Sequence, residues 1–385
     1  MENKKKVWIV TNNFGSVKAG PAIRFLRYAP YFLENDCDIR FVTVDRGEAN
    51  TENVEVDFII ANSRKSFFKK TYNKAAREKP DSIVFLSTNI FSTLNNYRMR
   101  LLGIKVIYVN TMKLSYTHRE NGEKRDFARI ASLKILSYFL YNSFSYVVNS
   151  TSALAENLNV NKSKLRKIYN GVDTEKYKPI PNNEKNKLKD TLGLPQNTQI
   201  FLFVGLFVQR KGILDLVEGW IQYKKQFDTN TTLLLVGNEM ENAPENDSNF
   251  VENWNSLKNK AEAHENNYDI IRKPFAKNVD EFYKVADTFV FLSYLEGMPN
   301  VLLESMSTGL AVLTSQFNGF SDDYGDSEKE LIILNDRKPE TLINYFNKLY
   351  NNKEYKENLS TNAREHALNY FALNKSITAY LKLFS

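Results

Sequence analysis

Short apolar runs of strand length alternate with segments of helical period along almost the whole chain, and that alternation restricts the fold more than any other feature. In the first half the runs are 7–11, 38–44, 56–60, 82–86, 105–109, 146–149 and 165–169, with helical segments at 21–35, 66–78, 91–102, 126–142 and 152–158. In the second half, runs at 199–204, 232–236, 269–271, 288–292, 312–315 and 331–334 alternate with helical segments opening near 212, 250, 279, 299, 342 and 354. An amphipathic segment, 375–384, ends the chain. Strands covered on both faces by intervening helices form parallel sheets. The pattern predicts an α/β protein built from two Rossmann-like, doubly wound domains facing each other across a cleft. The charged stretch 172–195 carries Pro179, Pro181 and Pro195 and reads as a linker. The expected division is 1–178, 179–370 and a last helix, 371–385, crossing back to the first domain. Segment 126–142 is unusually apolar; burial inside its domain is the expected outcome and membrane contact the second reading.

With 385 residues, 42% hydrophobic and 25% charged, the chain can fill two cores. A single cysteine, Cys37, excludes an intramolecular disulfide and fits a reducing compartment. Lys4–Lys6 precede only the short run Val7–Val10, so neither a secretory signal nor a membrane span is expected. A cytoplasmic protein, peripheral on the inner face of a membrane, fits these features. Charge is uneven: residues 1–180 carry 30 Lys+Arg against 17 Asp+Glu, and the remainder 22 against 28. The excess peaks over 63–79, where basic residues surround Phe67, Phe68 and Tyr72. Such interleaving suits an anionic membrane surface, or an ordinary helix with its Phe stripe in the core. No nucleic-acid partner is expected.

In parallel sheets, ligands sit beyond the carboxyl ends of the strands, so the loops there carry the functional reading. Ser293–Glu304 places Glu296 before a helix start and Glu304 inside that helix, with Gly297 for a tight turn and Pro299 at the expected first helical position. A helix N-terminus attracts anions and carboxylates accept hydrogen bonds from hydroxyls, a combination that suits a nucleotide sugar. Gly205–Gly212 leads from a strand straight into a helix and offers Arg210 and Lys211 to a diphosphate. Arg272 and Phe275 follow the strand at 269–271, where Phe275 can stack on a base. The loop ending at Gly20-Pro21 can approach a phosphate or sugar. Asn110, Thr111 and Lys113 form a candidate acceptor loop. The chain has no Walker A loop and no zinc-ligand spacing, and Asp36-Cys37-Asp38 sits at a strand entry, away from the ligand edge.

Phe203–Gly212, the Glu296/Glu304 pair, Ser305–Gly309 and Asn170-Gly171-Val172-Asp173 together resemble glycosyltransferase family 4, retaining enzymes of the GT-B fold. The resemblance implies a metal-independent enzyme without a cofactor that uses a nucleoside-diphosphate sugar, a UDP-sugar being the expected donor. It implies that Arg210 and Lys211 grip the diphosphate, Glu296 contacts the donor sugar, and Glu304 binds the ribose. It assigns the backbone of Gly297, Met298, Pro299 and Asn300 to the sugar and phosphate site, and Gly205 and Gly20 to the loops around the donor. The chain departs from the family pattern at Leu206, at Gly20-Pro21, at Phe320 and at Asn110-Thr111-Met112, so the donor side is inherited better than the acceptor side.

The resulting expectation is a hexosyl- or N-acetylhexosaminyltransferase that glycosylates a hydroxyl of a glycan or lipid-linked acceptor in surface polysaccharide or glycoconjugate synthesis. A sugar phosphorylase or nucleotide-sugar epimerase of the same fold, and a non-catalytic nucleotide-sugar-binding protein, remain alternatives.

Overall fold

The computed structural model describes residues 4–11, 20–44, 54–112, 127–156, 158–239, 246, 248–262 and 268–385. Its strands form two sheets. The first holds β1 (Lys5–Thr11), β2 (Cys37–Val44), β3 (Glu55–Ile59), β4 (Ser82–Phe85), β5 (Lys105–Asn110), β6 (Tyr146–Asn149) and β7 (Leu165–Lys167), in the order β3-β2-β1-β4-β5-β6-β7. The second holds β8 (Gln199–Val204), β9 (Thr231–Val236), β10 (Ile270–Lys273), β11 (Thr288–Phe291), β12 (Ala311–Ser315) and β13 (Ile332–Leu334), in the order β10-β9-β8-β11-β12-β13. Every pairing among these strands is parallel. In each sheet the order reverses beside the first strand, between β1 and β4 and between β8 and β11. That reversal splays the neighbouring loops apart and opens a crevice.

The chain divides into two compact units, residues 1–171 with 374–385, and residues 172–373. Aromatic packing explains why the last helix belongs to the first unit. Phe25 and Phe32 of helix Gly20–Glu34 meet Tyr380 and Phe384 of helix Leu373–Phe384, with ring centroids 5.2 Å and 5.3 Å apart. All four side chains are buried. Asn170-Gly171 is anchored in the same unit: Asn170 Oδ1 accepts from the buried Arg24, and the Gly171 N–H donates to Tyr28 Oη at 2.6 Å. Val172 instead bridges Ala372 within the second unit.

The stretch 172–195 is not an open linker. It contains the helix Asn182–Thr191, fixed in the second unit by Lys185, whose Nζ lies 2.7 Å from Asp287 Oδ1. The core of this unit is aromatic, with Phe201, Trp220, Tyr223 and Phe346 all at zero exposure. Trp220 is satisfied by donating Nε1–H to the Tyr268 carbonyl at 2.8 Å.

Phe67 and Phe68 are core residues, as the reading of 63–79 as an ordinary helix with its Phe stripe in the core expects, while Lys65, Lys69 and Lys70 are exposed. One expectation fails in the first unit. The apolar helix Phe127–Ser143 is buried only in its last turn, while Ile135, Leu136, Tyr138 and Phe139 are exposed. The helix is apolar around its whole circumference, and a single contact face cannot cover every side of such a cylinder.

Candidate functional site

The loops after β8 and β11 flank the strand-order reversal of the second sheet. After β8 the chain makes a short turn, Gln209–Lys211, capped by Gly212 in the left-handed region at φ 66°. A Cβ on Gly212 would lie 2.2 Å from the Leu292 carbonyl oxygen. Only glycine lets this loop close against the end of β11, which brings Arg210 and Lys211 to the β11 loop. Gly237 at the end of β9 plays a similar part, because a Cβ there would lie 1.8 Å from the Gly205 carbonyl oxygen.

Both cations converge on one carboxylate oxygen. Arg210 Nη1 and Lys211 Nζ lie 2.7 Å and 2.6 Å from Glu296 Oε1. Ser293 Oγ lies 2.9 Å from that oxygen and 3.0 Å from the Arg210 carbonyl, so its single proton serves two acceptors. The loop is pinned further by Arg210 Nη1 to the Leu295 carbonyl at 2.9 Å, and by exchanged backbone bonds between Tyr294–Glu296 and Asn318. The Lys211 and Glu296 side chains are 15% and 12% exposed and Arg210 is 32% exposed, so the cluster is partly shielded yet reachable. The two cations meet this carboxylate on the loop that leads toward helix Asn300–Ser307, and a helix N-terminus favours an anion.

Residues 184–366 match the family described as glycosyl transferases group 1. Over that stretch, just under half of its length, the chain is similar to group 1 glycosyl transferases. The chain is 25% identical over 64% of its length to the capsular polysaccharide biosynthesis glycosyltransferase CapH of Staphylococcus aureus. It is 31% identical over 42% of its length to an Escherichia coli UDP-Gal:alpha-D-GlcNAc-diphosphoundecaprenol alpha-1,3-galactosyltransferase. The matched stretches span 63% and 39% of those relatives' own lengths. The crystal structure of Anabaena HepE in complex with UDP superposes with a TM-score of 0.77 at 16% identity, covering 98% of both chains. The fold is GT-B.

Within the second unit the other sequence-selected residues fall in different places. Pro299 precedes the helix as its cap (φ −71°, ψ 121°) instead of opening it, and Asn300 is the first helical residue. The Gly297 carbonyl accepts from Tyr324 Oη at 3.1 Å, and Met298 is buried. Burial, together with the charges of Glu296 and Asp323, pushes the Tyr324 hydroxyl well above its usual range, keeping it protonated as a donor. Glu304 is 4% exposed and its Oε2 accepts from Tyr283 Oη at 3.2 Å, which fixes the carboxylate in the interior of the domain. Gly205 donates its N–H to the Val236 carbonyl.

Arg272 spends its guanidinium on Glu239 and lies within 6 Å of both Phe207 and Trp254 ring centres. Burial alone would raise the Glu239 carboxyl; Arg272 and Lys258 hold it below the usual range. Beside them a cavity of about 370 Å³ opens at the ends of β8–β10, lined by Phe207, Asn238, Glu239, Arg272, Lys273 and Pro274. Phe275 stands 67% exposed at its margin, with its N–H on Asn238 Oδ1 at 3.0 Å.

In the first unit, Gly20 opens its helix with nothing near the position a Cβ would take. Asn110 is buried, and its amide donates to Asn149 Oδ1 and the Leu154 carbonyl, both at 3.1 Å, so it ties β5 to β6 and to the short helix Ser152–Ala155. Thr111 is partly buried beside it. Lys113 and the loop before Gly20 lie outside the described residues.

Sequence reading missed Arg337. It donates Nε–H to the Leu292 carbonyl at 2.9 Å, and its Nη2 serves the Ser293 carbonyl at 2.7 Å and Ser315 Oγ at 3.1 Å. It also stacks 4.0 Å from the Tyr294 ring centre. Tyr294 in turn donates to Asp215 at 2.8 Å, and burial with that acidic partner pushes the phenol up to about 12. The available signal was position: Arg337 follows β13, at the same carboxyl edge as the rest of the cluster.

Proposed function

We propose that the protein is a retaining glycosyltransferase that moves a hexose or N-acetylhexosamine from a nucleoside-diphosphate sugar, a UDP-sugar being the expected donor, to a hydroxyl of a glycan or lipid-linked acceptor. Its setting is surface polysaccharide or glycoconjugate synthesis at the cytoplasmic face of a membrane. The observation that carries this reading is the meeting of Arg210, Lys211 and Glu296 at the β8/β11 reversal, on the loop that leads toward helix Asn300–Ser307.

An arriving diphosphate competes with Glu296 for both cations. Arg210 and Lys211 then stabilise the negative charge that collects on the phosphate oxygen as the bond to the sugar breaks. That charge compensation needs no metal ion. Glu296, released from one or both cations, is left to accept hydrogen bonds from the sugar hydroxyls. The new bond forms between the anomeric carbon and the acceptor oxygen, whose proton leaves with the nucleotide diphosphate or solvent. The cavity at the ends of β8–β10 is the place for the base. The names of the relatives CapH and the galactosyltransferase support the substrate class.

The test is nucleotide release from a panel of nucleoside-diphosphate sugars with a lipid-linked or oligosaccharide acceptor, with the anomeric configuration of the product read by NMR. Turnover with one donor and a product of unchanged configuration supports the proposal. No release from any donor, with no thermal stabilisation by any nucleoside diphosphate, rejects it.

A further inference from the structure

Helices Arg64–Glu78, Thr93–Leu101 and Phe127–Ser143 pack beside one another in the first unit, with the turn Ile90–Ser92 against them. The middle helix turns large apolar side chains toward solvent as well as inward. Its buried side presents Met99 and Asn96, the latter donating to Ser143 Oγ at 2.9 Å. Its solvent side presents Leu94, Tyr97 and Leu101, spaced i, i+3 and i+7 along one stripe, with Leu101 87% exposed. The neighbouring helix exposes Ile135, Leu136, Tyr138 and Phe139. With Phe91 and Leu102, these two adjoining segments hold half of the exposed large apolar side chains among the described residues. Scattered exposure would need no explanation, but concentration on touching elements does.

Charge adds an independent observation. The three helices and the turn carry ten Lys and Arg and one acid, Glu78, the last residue of the first helix. Lys65, Lys69, Lys70, Arg98, Arg129 and Lys134 are exposed. Cations and rings interleave: Lys65 Nζ is 5.4 Å from the Phe91 ring centre, and the Arg98 guanidinium is 6.0 Å from that of Tyr72.

We infer that this three-helix face is the docking surface for an anionic lipid bilayer. A soluble polyanion would use the cations and gain nothing from exposed leucine and phenylalanine. A protein partner would cover the apolar stripe and need acids of its own for the cations. An anionic bilayer satisfies both at once, with headgroups against Lys and Arg and the stripe in the acyl boundary. The inference is independent of the donor site and of turnover.

The test is sedimentation of the full chain with phosphatidylcholine vesicles, with and without phosphatidylglycerol. Binding is expected only to the anionic vesicles. It should weaken at least about tenfold in Leu136→Asp/Phe139→Asp and in Arg129→Glu/Lys134→Glu, and stay unchanged in Lys353→Glu on the second unit. Equal melting temperatures across the set exclude misfolding as the cause. As a second readout, Phe139→Trp fluorescence should shift to the blue on anionic vesicles and stay put with heparin. Vesicle binding that is absent or indifferent to the paired variants overturns the inference. So does heparin binding as tight as vesicle binding, or a concentration-dependent dimer that Leu136→Asp/Phe139→Asp abolishes.

Discussion

Lys211 Nζ lies 2.6 Å from Glu296 Oε1, the same oxygen that Arg210 approaches to 2.7 Å. The carboxylate is therefore the resting counter-ion of the pair that is proposed to hold a diphosphate. Glu296→Gln removes the competitor but keeps the shape. Affinity for a nucleoside diphosphate lacking its sugar should hold or rise a few-fold, while turnover of the donor falls by about a hundredfold. Lys211→Ala should weaken both. Calorimetric titration with the diphosphate, set against steady-state kinetics, separates the two. Loss of diphosphate binding in Glu296→Gln would assign that residue a purely structural role.

Gly212→Ala should be among the most damaging single changes in the second unit. The new Cβ combines a left-handed backbone with an overlap at the Leu292 carbonyl, 2.2 Å away. The expected loss is about 3 kcal/mol, or roughly 6–12 °C in melting temperature for a unit of this size. A thermal melt checks it, and an unchanged melt would mean that the β8 loop does not close as described.

Arg337 acts through the loop it holds. Arg337→Ala removes the donor to the Leu292 carbonyl and one of the two donors to the Ser293 carbonyl, the other being Ser315 Oγ, and should cost about 1–3 kcal/mol. Because the same loop positions Glu296, KM for the donor should rise as well. Arg337→Lys keeps the charge but lacks the fork that reaches three acceptors at once, and should recover only part of either loss. Full recovery by lysine would reduce the effect to simple charge.

Asp280 gives a pH dependence with a definite sign. Burial would raise its carboxyl, but Lys284 at 2.8 Å and Lys176 at 3.4 Å outweigh that and hold it below its ordinary value of 3.8. A depressed folded value means that the stabilisation is present above pH 3.8 and is lost as pH falls through the folded value. Asp280→Asn should therefore be less stable by about 1–2 kcal/mol at pH 7, and the gap should close as pH falls below about 4. Denaturant melts of both proteins across that window test it.

Local order along the chain was legible because it is written in neighbouring residues. The short apolar runs and the period-3.6 pattern placed the strands and most helices within a residue or two, and the Gly205–Gly212 and Ser293–Asn300 loops fell at carboxyl edges of strands, as read. The helix Asn182–Thr191 was missed because its sequence is polar on nearly every side, with Lys189 as its one buried residue. No periodicity marks such a helix.

Contacts between distant segments were not written locally. Lys211 and Glu296 are 85 residues apart, and they meet only because β11 lies next to β8 in a sheet whose order reverses there. The same polar residue types met opposite fates: Asn110 was absorbed into strand-to-strand hydrogen bonds and Arg272 into a pair with Glu239, whereas Arg337 was drawn to the site. Likewise, hydrophobicity alone pointed helix Phe127–Ser143 inward, yet much of it faces out. Amino-acid sequence by itself determined the elements and the edge where chemistry can occur, since backbone hydrogen bonding and side-chain period act between near neighbours. Tertiary structure alone decided which loops share a carboxylate and which apolar faces stay uncovered, since those depend on strand order and on packing between segments far apart in the chain.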